Sequence, residues 1–334
     1  MIFSSAAILG SGSFGTAIAK LISPNLPAGL VVFGRDADVC EGINTKHRNP
    51  KYLSGVTLPL NITASLDISS AIGNPLVVFA VPTCATRSCA AALAAAGLPK
   101  ETVLLSCAKG IEKTSGDRMS EILREIFPEN PIAVFSGPNH AEEMAIGQAT
   151  CSVIGAVDNE VAAALQALFT LPNFRPYTST DIAGIELGGA IKNVYAIAAG
   201  ISHGLGLGDN AAAAMVTRAL AEMTRLGIAL GGEKETFSGL SGVGDLIVTC
   251  FSKHSRNHRV GLALGEGKTL EEATQALGMV AEGVPNTLSI HEAARRAGVR
   301  TPIIDAVFSI LYEDKPAAKA MAELLSRDTR TECE

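Results

Sequence analysis

Short apolar runs alternate with amphipathic stretches through the first half of the chain. Ala6–Leu9, Leu30–Phe33, Leu76–Val81, Val103–Leu105 and Ile132–Phe135 are brief and bounded by Gly, Pro or polar residues. Such runs predict strands covered on both faces. Between them, Thr16–Ile22, Ala85–Ala96 and Asp117–Ile126 carry helix-like patterns. The alternation predicts a parallel sheet with helices on both sides, a doubly wound α/β arrangement. Two more strands are expected near Cys151–Ile154 and Phe174–Tyr177. From about Asp181 the pattern changes: Ile182–Ile201, Ala211–Leu226, Glu271–Leu277, Val284–Ala297 and Ala306–Leu311 read as helices, and strand signals stop. The expected division is residues 1–181 and an all-helical 182–334, with no low-complexity linker and therefore a firm interface.

Composition narrows the function classes. A length of 334 residues fits two domains. Hydrophobic residues make up 47% and aromatics 4%, without Trp, which suits close backbone packing. The formal charge of −6, without a long basic run, argues against a nucleic-acid partner. Mean hydropathy is positive at +0.29, yet no run reaches the roughly 18 uninterrupted apolar residues of a spanning helix. The longest candidate, Gly188–Ile201, contains Lys192 and Asn193, so no integral membrane segment is expected. The first ten residues lack a basic region and read as a strand rather than a signal peptide. Seven cysteines, with Cys84 and Cys89 five apart, fit reduced thiols in a cytoplasm.

Gly10-Ser11-Gly12-Ser13-Phe14-Gly15 follows a strand and opens a helix. This is the G-x-G-x-x-G spacing of a dinucleotide site in a Rossmann-type domain. Gly10 permits the tight turn, Gly12 lets the backbone approach a pyrophosphate, and Gly15 lets helix and strand pack. The alternative is a glycine-rich turn that binds nothing. The second strand ends in Gly34-Arg35-Asp36. An acidic residue here would hold the ribose hydroxyls of NAD, whereas Arg35 suits the 2′-phosphate of NADP; the charge argument favours NADPH, with NADH open. Phe79-Ala80-Val81-Pro82-Thr83 either passes the nicotinamide ribose or is simply a strand stopped by proline.

Hydride transfer to a ketone requires a proton donor beside the carbonyl. Lys192, on a crowded small-residue helix face, is the best candidate. Burial would lower its pKa and improve it as an acid–base group; the plainer reading is a snorkelling lysine at a domain seam. Lys109 follows a strand end where doubly wound sheets bind ligands, although a surface lysine in a loop is equally compatible. Ser255-Arg256-Asn257 reads as a phosphate grip at a helix start or as an ordinary capped helix. Asp245 either holds a lysine ammonium or a substrate hydroxyl, or caps a turn. His254 and His258 have i, i+4 spacing, but no third ligand follows, so no metal is expected.

Taken together, these residues resemble the bacterial-type NAD(P)-dependent glycerol-3-phosphate dehydrogenase family. The likeness runs through GSGSFGTAIA at 10–19, FAVPT at 79–83, KGIE at 109–112, SGPNHAEE at 136–143, ELGGAIKNVYAIAAGI at 186–201, GLGLGDN at 204–210, TFSGLSGVGDLIVTC at 236–250, SRN at 255–257 and EGVPN at 282–286. The resemblance implies reduction of dihydroxyacetone phosphate to sn-glycerol 3-phosphate for glycerophospholipid synthesis. It implies Lys192 as proton donor or acceptor. Lys109, Gly137, Asp245, Ser255, Arg256 and Asn257 would contact substrate. Ser13, Phe14, Arg35, Lys109, Ala141, Arg256, Val280 and Glu282 would contact the cofactor. The sequence departs at Asn139 and His140, where the family commonly has Ser or Thr, then Phe. Asn139 can still donate a hydrogen bond to substrate, and His140 reads as a structural replacement. A homodimer is a guess from the helical second half. Two other readings are weaker: a hydroxyacyl-CoA dehydrogenase would carry a catalytic His–Glu pair, and a dinucleotide sensor would lack Lys192.

Overall fold

The computed structural model describes residues 2–277, 280–328 and 331. Among these, eight strands form one sheet: β1 (Ala6–Leu9), β2 (Leu30–Phe33), β3 (Ile62–Ser65), β4 (Leu76–Phe79), β5 (Val103–Ser106), β6 (Ile132–Ser136), β7 (Thr150–Ala156) and β8 (Phe174–Ser179). Their order is β3-β2-β1-β4-β5-β6-β7-β8. The chain winds outward from β1 to β3, then returns to β4 on the other side of β1. That reversal leaves a crevice at the carboxyl ends of β1 and β4, where open α/β sheets bind ligands.

Six helices accompany the sheet: α1 (Ser13–Ile22), α2 (Ala37–Lys46), α3 (Thr86–Ala95), α4 (Met119–Ile126), α5 (Ala141–Ala145) and α6 (Asn159–Phe169). The period-2 geometry of a strand splits β1 between two cores. Ala6 and Ile8 join the layer containing Ile18 and Phe135. Ala7 and Leu9 join the layer containing Leu93 and Phe79.

Two features differ from the sequence reading. The expected all-parallel sheet holds only through β6; β7 runs antiparallel to β6, and β8 runs parallel to β7. A parallel return needs a crossover as long as the strand. The five-residue α5 rises only about 7.5 Å, too little for that return. β3 carried no apolar run because it is a partly exposed edge strand, with only Ile62 of Ile-Thr-Ala-Ser buried.

The second half is helical: α7 (Ile182–Gly204), α8 (Asp209–Ala229), α9 (Lys234–Phe237), α10 (Asp245–Phe251), α11 (Arg256–Gly265), α12 (Leu270–Gln275), α13 (Gly283–Arg296), α14 (Pro302–Tyr312) and α15 (Ala317–Leu325). Every residue of α7 from Gly184 to Ser202 is buried. By length and composition α7 could cross a membrane, but 89% of its apolar stretch is buried inside the protein, as in the central helix of a large core. A Cβ on Gly200 would lie 2.1 Å from His258 O, and one on Gly261 2.0 Å from Ile197 O. Glycine on both helices therefore lets the backbones of α7 and α11 touch.

The two halves are joined by specific bonds. Ser120 N donates to Glu186 Oε1 at 2.8 Å and Arg118 Nη1 to Glu186 Oε2 at 2.9 Å. Thr83 N, after β4, donates to Glu282 Oε1 at 3.3 Å, just before α13.

Candidate active site

A cleft of about 1360 Å³ runs from the β1–α1 turn, past Val81 and Pro82, to Lys109, Lys192 and Arg256. At one end the three glycines have separate causes. A Cβ on Gly10, at φ +114°, would meet Ala80 O at 2.5 Å, and one on Gly15 would meet Gly10 O at 1.9 Å. Both are required by the protein's own packing. A Cβ on Gly12 would meet nothing within 4 Å, and Gly12 lines the cleft. The protein's own packing does not demand glycine there, and the bare backbone leaves room for a group to lie against the turn. The N-terminus of α1 has no side-chain cap and no acid in its first turn. Its free N–H groups and dipole suit a pyrophosphate, so the residues fit a dinucleotide. Ser13 and Phe14 line this end, while Gly15 packs behind it.

Arg35 and Asp36 both line the cleft. Asp36 Oδ1 accepts from Asp38 N at 3.1 Å and Val39 N at 3.3 Å, capping α2, and Oδ2 accepts from Lys51. The Lys51 bond is the leading cause that holds this carboxyl below its usual range. Both Asp36 oxygens are thus engaged. Arg35 is exposed and has no hydrogen bond or ion pair among the described residues.

The other end holds two lysines on one carboxylate. Lys192 Nζ donates to Asp245 Oδ1 at 2.8 Å and to Thr249 Oγ1 at 2.6 Å. Lys109 Nζ donates to Asp245 Oδ2 at 2.8 Å, to Gly137 O at 3.0 Å and to Asn139 Oδ1 at 2.9 Å. Lys192 is 5% exposed and Asp245 1%, which sets aside a snorkelling lysine. Burial lowers the Lys192 pKa to about 8; Asp245 raises it and Lys109 lowers it. Burial works against the Asp245 charge, yet the two lysines hold its carboxyl below the usual range. The result is an ammonium that can release a proton near neutral pH, fixed by a carboxylate that stays charged.

Ser255 is the N-cap of α11, its Oγ accepting from His258 N at 3.2 Å. Its hydroxyl hydrogen remains free to donate. Arg256 is exposed at the cleft wall, and its Nη1 donates to Val280 O at 2.8 Å. Asn257 is buried: its Nδ2 donates to Asn193 Oδ1 at 2.9 Å, and its Oδ1 accepts from Gly283 N at 2.9 Å. Asn193 Nδ2 in turn donates to Lys109 O at 3.2 Å. Asn257 therefore ties α11, α7 and the start of α13 together. Ala141, Val280 and Glu282 line the same cleft. Burial pushes the Glu282 carboxyl up, against the Thr83 bond and Arg256.

Residues 5–162 match the model of the NAD-dependent glycerol-3-phosphate dehydrogenase N-terminus, and residues 181–322 match that of its C-terminus. The chain belongs to the NAD-dependent glycerol-3-phosphate dehydrogenase family. A glycerol-3-phosphate dehydrogenase (NAD(P)+) of Thermobifida fusca is 46% identical over 329 residues, covering 98% of each chain. A crystal structure of glycerol-3-phosphate dehydrogenase from Coxiella burnetii superposes with a TM-score of 0.93 at 35% identity, covering 97% of this chain and 99% of that one. A ketopantoate reductase from Ralstonia eutropha, at 18% identity and a TM-score of 0.62, covers 95% of this chain and 99% of that one and shares the fold.

Gly137, Asn139 and the two histidines are each placed by their own contacts. Gly137 is buried behind Lys109 and is absent from the cleft wall; its carbonyl faces the lysine rather than the open space. Asn139 lines the cleft: its Oδ1 accepts from Lys109, and its Nδ2 donates to Ser152 Oγ at 3.3 Å, which leaves one amide hydrogen uncommitted. Buried at 5% exposure, it orients Lys109. His254 and His258 do not share a helix face: α11 begins after His254, whose ring meets His140, whereas His258 meets His203. Thr249 and Tyr52 were not singled out. Thr249 stands four residues after Asp245 on α10, a spacing that was legible. Tyr52 lies in a turn and gave no signal.

Proposed function

We propose that the protein catalyses the reversible NAD(P)H-dependent reduction of dihydroxyacetone phosphate to sn-glycerol 3-phosphate, supplying the glycerol phosphate of glycerophospholipids. The buried Lys192–Asp245–Lys109 cluster on the wall of a dinucleotide-shaped cleft carries this reading. The nicotinamide cofactor, when bound, supplies the hydride. Lys192 Nζ gives its proton to the carbonyl oxygen as that oxygen gains charge, and takes it back in the reverse direction. Asp245 and Thr249 hold the ammonium in place. Lys109 adds a second positive charge beside the developing alkoxide. Arg256, with Ser255 and Asn257 at the start of α11, binds the phosphate, with Asn257 acting partly through Asn193. Gly10, Gly12, Ser13, Phe14 and Gly15 hold the pyrophosphate region, and Ala141, Val280, Glu282, Lys109 and Arg256 flank the remaining cofactor. Arg35, unpaired where Asp36 is already engaged, favours NADPH over NADH.

We take the cofactor unit as residues 1–181 and the catalytic unit as 182–334. Six described cysteines are free thiols, which supports a reducing cytoplasm. Following NADPH and NADH absorbance with dihydroxyacetone phosphate against a panel of 2-keto acids tests the assignment. Turnover confined to a 2-keto acid overturns it.

A further inference from the structure

We propose that Asn286 is a positioning residue for the reaction: it grips Lys109 by its main-chain carbonyl and, through Lys109, sets the state of Lys192. This rests on the functional reading above. Asn286 stands in the first turn of α13, four residues after Glu282, and is 1% exposed. Its Nδ2 donates to Lys109 O at 2.9 Å, across 177 residues of chain. Asn193, beside Lys192 on α7, donates to the same oxygen at 3.2 Å. A carbonyl oxygen offers two lone pairs, and two amides of the helical half take them. At the other end of the side chain, the ammonium's three hydrogens go to Gly137 O, Asn139 Oδ1 and Asp245 Oδ2. Lys109 is thus held at both ends, and Asn286 is the part of the grip that comes from the segment flanking the cofactor.

Gly110 makes room for this amide. Its φ lies outside the left-handed region, so the backbone does not call for glycine. A Cβ there would lie 2.5 Å from Asn286 Oδ1, 2.9 Å from Asn286 Nδ2 and 2.5 Å from Thr83 Oγ1; the side chains packed on it exclude one. The bonds also close a ring. Gly283 N, at the start of α13, donates to Asn257 Oδ1, Asn257 Nδ2 donates to Asn193 Oδ1, and Asn193 returns to Lys109 O. The start of α11, the middle of α7 and the first turn of α13 therefore meet on one carbonyl. What that carbonyl positions is a charge. The titratable groups facing Lys192 are Asp245 and Cys250 on α10, Lys109 after β5 and His140 before α5. Of these, Asn286 bonds Lys109. Lys109 shares the Asp245 carboxylate with Lys192 and opposes a second ammonium beside it. Held by one amide in place of two, the Lys109–Gly110 peptide shifts and the ammonium leaves Asp245. The carboxylate then acts on Lys192 alone, which keeps its proton to higher pH and loses the neighbouring charge that stabilises the alkoxide.

The test compares wild type, Asn286→Ala, Lys109→Met and the double variant at saturating NADPH. Asn286→Ala lowers kcat for dihydroxyacetone phosphate about 10- to 100-fold, the cost of a small misplacement near the chemistry, and its alkaline limb lies at higher pH than that of wild type. NADPH affinity, read by fluorescence, stays near wild type, because Glu282 keeps Thr83 N and Gly283 keeps Asn257. In the Lys109→Met background the same substitution costs nothing further and moves no limb. A crystal structure of Asn286→Ala shows Lys109 Nζ more than about 3.5 Å from Asp245. Asn286→Ser, whose hydroxyl stops one bond short of the amide nitrogen, gives the same readouts if the alanine variant does not fold. An unmoved limb with Lys109 still on Asp245, or an equal loss with and without Lys109, overturns the role of Asn286. Failure of wild type to reduce dihydroxyacetone phosphate overturns the functional reading itself, and the place of Lys109 in the variant's crystal structure then still decides the grip.

Discussion

The ammonium of Lys192 lies 2.8 Å from one carboxylate oxygen of Asp245, inside a site where neither residue is more than 5% exposed. Burial alone would discharge the lysine. The carboxylate opposes that, and the balance leaves a pKa of about 8. Reduction needs the ammonium, so its kcat holds below pH 8 and falls as pH rises through it; oxidation rises over the same window. Lys192→Ala lowers turnover roughly 10²–10⁴-fold while NADPH binding, read by fluorescence, stays nearly intact. Asp245→Asn removes the influence that raises the lysine's pKa and moves the alkaline limb of reduction to lower pH. An unmoved limb in a folded variant rules out this coupling.

Arg256 is exposed on the cleft wall and bonded to Val280 O through one guanidinium nitrogen, leaving the rest of its fork for an anion. Arg256→Ala is expected to raise the KM for dihydroxyacetone phosphate about 10-fold or more. An unchanged KM removes its phosphate role.

Arg35 faces the cleft beside an Asp36 already occupied by the α2 cap and Lys51. Arg35→Ala should weaken NADPH about 10-fold and NADH much less, measured by calorimetry. Equal losses for both cofactors argue against recognition of a 2′-phosphate.

The two inner glycines separate binding from folding. Gly15→Ala forces a Cβ to within 1.9 Å of Gly10 O, and overpacking of this kind costs about 1–3 kcal/mol in stability. Gly12→Ala meets no protein atom within 4 Å; its Tm stays near wild type while its dinucleotide affinity falls. Loss of stability in Gly12→Ala with affinity retained would falsify this division.

Far from the cleft, Glu222 accepts from Ile303 N at 3.1 Å and Ile304 N at 3.0 Å at the start of α14. Burial raises its pKa from 4.5 to about 7, against those two bonds. A carboxyl raised on folding contributes stability fully below its unfolded pKa, and that contribution is lost as pH rises through the folded one. Wild-type Tm should therefore decline more steeply between about pH 5 and pH 8 than that of Glu222→Gln. Identical slopes in thermal melts would exclude Glu222 as the titrating group.

The chain's local patterns determined much of this protein. Apolar runs located seven of the eight strands among the described residues, and their end at Ser179 is followed by α7 at Ile182. The turn at Gly10–Gly15 was legible because its demands are local: a tight turn, a close approach and a helix start within six residues. Tertiary structure alone decided the direction of β7, since an antiparallel strand and a parallel one share the same hydrophobic period. It also decided the site. Lys109 and Asp245 are 136 residues apart in the chain, and Lys192 and Asp245 are 53 apart. No periodicity reaches over such separations. What joins them is the packing of α7 against α10 and the sheet edge, and the burial that packing imposes is what turns two ordinary lysines into a proton donor and its neighbour.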